Sequence, residues 1–251
     1  LVDTYDTLEG VRQAVEAGRR LRARGHKMAG IRLDSGDLAY LSIEARKILD
    51  AGGFPDAAIV ASNDLDEHLI QSLKEQGATI NVWGVGTKLV TAYDQPALGG
   101  VYKLAAIRPP RGRWQHKIKL SEQTIKVSTP GIQQVRRFRN QKGFVADMIF
   151  DTILGAPKAP MIIDPADVTK RRRITASMPF TDLLVPVFRG GRLVYAPPTL
   201  EQSRRFAQEQ LAGFHPGIRR FENPHIYPVG LERNLHALKT KLILQARGRK
   251  P

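Results

Sequence analysis

Apolar and polar positions along the first hundred residues repeat in a fixed order. Met28–Leu33 is a short apolar run that ends in the polar turn Asp34-Ser35-Gly36-Asp37, after which Leu38, Leu41, Ala45 and Ile48 recur at helical spacing. The pattern predicts a strand, a loop and a helix with one buried face, stopped at Gly52-Gly53. Ala57–Ala61 is the next predicted strand, followed by Ser62-Asn63-Asp64 and a helix carrying Leu65, Leu69, Ile70 and Leu73. Asp64 with Glu67 fits a capping box for that helix, and Gly77 fits its stop. A third strand, Thr79–Trp83, runs into Gly84-Val85-Gly86-Thr87. At the front, Leu1-Val2 meets Asp3-Thr4-Tyr5-Asp6-Thr7 ahead of a helix with Leu8, Val11, Val15 and Leu21.

Four predicted strand ends thus fall near Asp3, Arg32, Ser62 and Gly84, at separations of 29, 30 and 22 residues. Strands alternating with helices at this spacing predict an α/β fold with a parallel sheet, whose site lies at the carboxyl ends of the strands. In a barrel of about eight strands, four βα units make about half. The chain also opens without methionine inside a predicted strand, so it is expected to be the back part of a longer polypeptide.

Beyond this region, Gly99–Ile107, Trp114–Leu120, Gln133–Arg139 and Phe144–Phe150 read as short strands rich in β-branched and aromatic residues. Leu200, Phe206, Ala207 and Leu211 mark an amphipathic helix, and Leu231, Leu235, Leu238 and Leu242 mark another. Charge divides the chain at the same place. Residues 1–107 hold 12 Lys+Arg against 14 Asp+Glu, whereas residues 108–251 hold 27 against 10, so the whole excess of +15 comes from the second part. Two regions are expected, 1–107 as a partial α/β barrel and 108–251 as a basic α+β region, divided near Arg108-Pro109-Pro110-Arg111-Gly112.

With 42% hydrophobic and 25% charged residues over 251 positions, the composition is that of a folded globular chain. No run approaches the ~20 apolar residues of a membrane span. The absence of cysteine removes disulfides and thiolate chemistry, and a cytoplasmic location is expected. The run Lys170-Arg171-Arg172-Arg173 reads as a solvated loop, with phosphate or nucleic-acid binding as the alternative. Net +17 over one region makes polyanion or nucleic-acid binding the rival function, although no RRM, KH or zinc-finger pattern accompanies it.

The strand-end loops carry the candidate chemistry. Arg32 offers a planar fork for a carboxylate or phosphate, and Asp34 and Asp37 can accept from ribose hydroxyls or hold Mg²⁺ through water. A structural ion pair, with Asp34 or Asp37 capping the next helix, explains the same residues equally well. Gly84-Val85-Gly86-Thr87 allows close backbone approach, and its N–H groups with the Thr87 hydroxyl suit a phosphate; a plain tight turn is the alternative. None of the six histidines has HxxxH or HExxH spacing, so no protein-only metal site is expected.

Seven segments together resemble the nicotinate phosphoribosyltransferases: LVDTYDTLEGV (1–11), GIRLDSGDLAYLS (30–42), IVASNDLDE (59–67), NVWGVGTKLVTAYDQPALGGVYKL (81–104), KIKLSE (117–122), TPGIQQVRRF (129–138) and NPHIYPVGL (223–231). The resemblance implies NAD salvage: nicotinate and phosphoribosyl pyrophosphate give nicotinate mononucleotide and diphosphate, with Mg²⁺ and coupled ATP hydrolysis. It also implies an irregular TIM-like barrel joined to a second domain, and a homodimer with active sites at its interface. By the same resemblance Arg32 stands beside the nicotinate ring and pyrophosphate, and Asp34, with Ser35, Gly36 and Asp37 in its loop, faces the ribose or its Mg²⁺. Ser62 and Asn63 line the ribose phosphate side, Gly84, Gly86 and Thr87 cradle the 5′-phosphate, and Asp3 and Thr4 stand at the neighbouring strand end. The family's histidine that ATP phosphorylates lies in a Gly-Thr-x-x-His type segment upstream of DTYDT, and no such segment occurs in these residues. The chain is therefore expected to be inactive alone, a non-catalytic remnant, or active with a complementing N-terminal piece. Its missing strands are expected to leave an exposed sheet edge.

Overall fold

The computed structural model describes residues 1–122 and 126–248 and divides the chain into two compact units, Leu1–Gly100 and Val101–Pro251. In the first, α1 (Thr7–Ala23), β1 (Gly30–Leu33), α2 (Leu38–Ala51), β2 (Ala58–Ala61), α3 (Glu67–Glu75), β3 (Val82–Trp83) and the short α4 (Thr87–Val90) follow in order. The three strands pair in parallel in the order β1-β2-β3, with Arg32 opposite Val60 and Val60 opposite Val82. The unit is α/β as expected, but its sheet is open and no closed barrel is present among the described residues. The fourth expected strand, Leu1-Val2, is reduced to one backbone bond, Val2 N–H to Arg32 O at 3.2 Å.

Strand alternation sets the two faces apart. Ile31, Leu33, Ile59 and Ala61 are buried in a core shared with Val11, Val15, Leu38, Leu49 and Leu73 of the helices. Each large aliphatic residue so buried contributes about 1.5–3 kcal/mol. On the other face Arg32 is exposed and Val82 is 46% exposed. Gly10 permits the close packing of α1 on the chain start, since a Cβ there would lie 2.0 Å from Val2 O.

Helix starts are set by aspartates. Asp6 accepts from Glu9 N–H at 2.7 Å and Asp37 from Tyr40 N–H at 3.0 Å. The third start differs from expectation: Asp66, not Asp64, caps α3 through Leu69 N–H at 2.8 Å. Asn63 and Asp64 both take left-handed backbone, φ 96° and 46°, whereas a capping residue is extended.

The second unit holds β4 (Ala106–Ile107), β5 (Gln115–His116), β6 (Gln133–Asn140), β7 (Gly143–Asp151), β8 (Met161–Ile163), β9 (Arg171–Arg173), β10 (Phe180–Asp182), β11 (Phe188–Arg189), β12 (Arg192–Leu193), α5 (Leu200–Ala212), α6 (Pro216–Arg219), β13 (Val229–Glu232) and α7 (Arg233–Ala246). Six strands form one sheet in the order β10-β6-β7-β13-β8-β9, in which only β7 and β13 run parallel. The core gathers Phe138, Ala146, Met148, Phe150, Ile162 and Ile174.

Three expectations need correction here. The strands predicted over 99–107 and 114–120 shrink to the two-residue β4 and β5, because the chain beyond them bonds elsewhere: Ala105 O also accepts from Gly131 N–H at 3.0 Å, and Lys119 O accepts from Ser128 N–H at 3.1 Å. The Lys170–Arg173 run is not a loop: residues 171–173 pair with β8 as an edge strand, exposed throughout. Helix α5 forms with a full capping box at Thr199 and Gln202, yet none of its residues is buried, and Leu200 and Phe206 face outward.

Candidate functional site

The carboxyl ends of β1, β2 and β3 bring the predicted residues into one cluster. Leu33 O accepts from Ser62 N–H at 2.9 Å and Ala61 O from Gly84 N–H at 2.7 Å, so the three loops leave the sheet side by side. The Ser62 hydroxyl donates to the Asp34 carboxylate. Asp3 Oδ2 accepts twice, from Asp34 N–H and from the Ser35 hydroxyl, each at 2.7 Å. Asp3, Asp34, Ser35 and Ser62 therefore form one hydrogen-bonded chain across three segments of sequence. Gly36 turns the loop with φ +77° beside Leu41, a conformation that side-chain-bearing residues rarely adopt.

Other candidates divide by what holds them. Asp37 is committed to the start of α2 and Gly86 to the start of α4, so for Asp37 the capping alternative is the one observed. Asn63 sits in the left-handed pair that follows Ser62. Thr87 opens α4, and Thr4 is exposed. The Arg32 guanidinium and the Thr87 hydroxyl have no protein partner among the described residues; Arg32 makes no ion pair with Asp34. An unpaired cation beside a braced carboxylate loop is a site able to take an anion at one point and hydroxyls at another.

Burial alone would raise the Asp3 carboxyl, but the Ser35 hydroxyl and the Asp34 N–H hold it below its ordinary value. A depressed folded value contributes stability above the unfolded value of about 3.9 and loses it as pH falls through the lower folded value. Protection of the Asp34 amide against hydrogen exchange is thus expected to fall on acidification through that range, and Asp3→Ala, which removes the acceptor, is expected to make it low at every pH. Protection that persists in Asp3→Ala would show that the loop does not depend on this carboxylate.

Two residues that support the site were not singled out from the sequence. Ser42, fully buried on α2, accepts from Thr79 N–H at 3.2 Å, while the Thr79 hydroxyl donates to Ser42 O at 2.6 Å. Asn81 Oδ1 accepts from Ile59 N–H at 2.8 Å and continues the β2–β3 pairing ahead of Val82. The available signal was a serine on the apolar stripe of Leu38, Leu41, Ala45 and Ile48. Among the described residues no group of three or more His, Asp or Glu side chains could hold a metal ion, and no helix is long and apolar enough to cross a membrane.

Residues 132–239 match the family model described as nicotinate phosphoribosyltransferase C-terminal domain. The nicotinate phosphoribosyltransferase of Bacillus subtilis (strain 168) is 42% identical over 258 residues, covering 99% of this chain and 51% of that protein. That of Dictyostelium discoideum is 37% identical over 255 residues, covering 94% of this chain and 42% of its own length. The crystal structure of human nicotinic acid phosphoribosyltransferase superposes with a TM-score of 0.73 at 27% identity, covering 96% of this chain and 46% of the human one. The chain spans about half the length of the curated relatives it matches, and over that span its sequence and fold are similar to those of the C-terminal part of nicotinate phosphoribosyltransferases.

Proposed function

We propose that this chain supplies the ribose-phosphate side of a nicotinate phosphoribosyltransferase, serving NAD salvage by joining nicotinate to phosphoribosyl pyrophosphate with release of diphosphate and coupled ATP hydrolysis. The observation that carries the reading is the unpaired Arg32 guanidinium at the end of a parallel strand, beside the braced Asp3–Asp34–Ser62 chain. Displacing diphosphate from the anomeric carbon develops positive charge on the sugar and negative charge on the leaving group. Positioning and charge stabilisation are sufficient for such a step. Arg32 would meet the pyrophosphate and the nicotinate carboxylate, Asp34 the ribose, Ser62 and Asn63 the ribose phosphate side, and Gly84, Gly86 and Thr87 the 5′-phosphate.

The oxygen donors fit a substrate-borne Mg²⁺. Asp34 keeps one carboxylate oxygen beyond its bond to Ser62, and Asp3 keeps Oδ1; one or two carboxylates with substrate phosphates is the usual setting for this ion. Mg²⁺ would neutralise charge on the departing diphosphate.

The bare sheet face bearing Arg32, Val60 and Val82 supports a partial barrel, closed by a complementing N-terminal segment or covered by a second copy of the chain. Parallel sheets are ordinarily covered on both faces. Light scattering of the chain over a concentration series is expected to show self-association; a stable monomer throughout would remove this part of the reading.

Isothermal titration with nicotinate mononucleotide and Mg²⁺ tests the site itself, with saturable binding expected. No mononucleotide binding, together with salt-sensitive binding of duplex DNA at ~0.15 M salt, would move the function to the basic second unit and overturn the proposal.

A further inference from the structure

Strand β9 and the chain leading into β13 border a groove of about 690 Å³ in the second unit, a volume within the usual range for small-molecule sites, about 300–1,000 Å³. One wall is cationic, formed by Lys170, Arg171 and Arg172; the other is apolar and includes Ile226 and Val229. Ile226 is 90% exposed, an isoleucine left in water opposite charge.

The two arginines of the groove stand without ion-pair partners among the described residues: Arg171 Nε donates to Val168 O at 2.8 Å and Arg172 Nη1 to Val145 O at 3.1 Å. Lys170 reaches Asp167 at 3.7 Å with both side chains open to water, a pairing that contributes little. Asp164, the acid on the groove, is committed to its own turn, with Oδ1 accepting from Ala166 N–H at 2.8 Å and Asp167 N–H at 3.3 Å. On α7, His236 is held below the ordinary imidazole value by burial, then by the positive charges of Lys239 and Arg171. Three cations against the carboxylates of Asp164 and Asp167 leave a small positive excess at the groove.

Cationic residues on an edge strand also guard against edge-to-edge pairing. A guard requires charge alone. It requires neither a concave site of ligand size nor an exposed apolar wall facing the charge, and both are present. Arginine forks match phosphate oxygens, and branched aliphatic side chains offer a surface to a flat ring. We propose that this groove binds a nucleotide, its phosphates held at the cationic Lys170–Arg172 edge and its base lying against Ile226 and Val229. None of these residues belongs to the strand-end site of the first unit, so the proposal stands apart from the reaction assigned there.

The test is isothermal titration of the chain with ADP, pyrophosphate and adenosine, in the unchanged sequence and in Arg171→Ala, Ile226→Ser and Arg32→Ala. ADP is expected to bind at least tenfold more tightly than pyrophosphate or adenosine. Arg171→Ala and Ile226→Ser, both at exposed positions, are each expected to weaken ADP at least fivefold, and Arg32→Ala to leave it unchanged. Pyrophosphate binding as tightly as ADP would reduce the groove to a simple anion patch and overturn the proposal. Loss of ADP binding in Arg32→Ala alone would place ADP in the first unit and overturn it equally, as would no ADP binding at all.

Discussion

Arg32→Ala is expected to weaken nicotinate mononucleotide binding by about 10–100-fold while leaving the fold intact, the magnitude of a charge-assisted hydrogen bond worth about 1.5–3 kcal/mol. The two halves of that result have different causes. Arg32 is exposed on β1 and donates to no protein acceptor among the described residues, so its removal leaves no buried group unsatisfied. Its neighbours Ile31 and Leu33, which point the other way, hold the strand in the core. Arg32→Lys should recover little, because an ammonium cannot make the paired bonds of a guanidinium to a phosphate or carboxylate. Titration calorimetry measures the loss, and circular dichroism of the variant confirms the unchanged fold. Equal affinity in Arg32→Ala would remove the central residue of the proposed site.

A second substitution should act on stability instead. Arg137 of β6 pairs bidentately with Asp147 of β7, at 2.9 and 2.7 Å, and donates to Gln210 of α5 at 3.2 Å. Its guanidinium stacks at 4.7 Å on Phe144 and 5.1 Å on Phe214. The Tyr227 hydroxyl donates to the same carboxylate at 2.9 Å, and burial, followed by that bond, pushes the phenol above its ordinary range. Asp147 is only 6% exposed. Removing one partner of such a pair strands the other charge, so Arg137→Ala is expected to cost the second unit about 3–5 kcal/mol. Arg137→Lys should restore less than half, lacking both fork and stacking. Because two units need not unfold together, hydrogen exchange at the β6 and β7 amides is the appropriate readout. Unchanged exchange would mean that the ring cluster holds the sheet without the ion pair.

This arginine cluster marks the limit of what the sequence makes legible. The strand ends could be read because a helix period following a short apolar run is local information, and Arg32, Asp34, Ser62 and Gly84 do meet at one end of one sheet. The partners of Arg137 lie 10 residues away at Asp147 and 73 at Gln210, and no periodicity links them. Ser42 and Thr79, 37 residues apart, were hidden for the same reason. The predicted cap at Asp64 failed on a different ground: two successive left-handed residues delay the helix by one aspartate. The short β4 and β5 show β propensity overridden by bonds of their continuations to Ser128 and Gly131, and α5 shows an apolar stripe that forms a helix without finding a core.

The bare face of the first sheet has a thermodynamic consequence. Any surface that closes over it must strip water from Arg32, and an uncompensated cation so enclosed costs several kcal/mol. An anion bound at the strand ends removes that cost. Ligand and covering surface are then linked, each raising the affinity of the other by the same factor. The substrate would be part of what holds the assembled protein together.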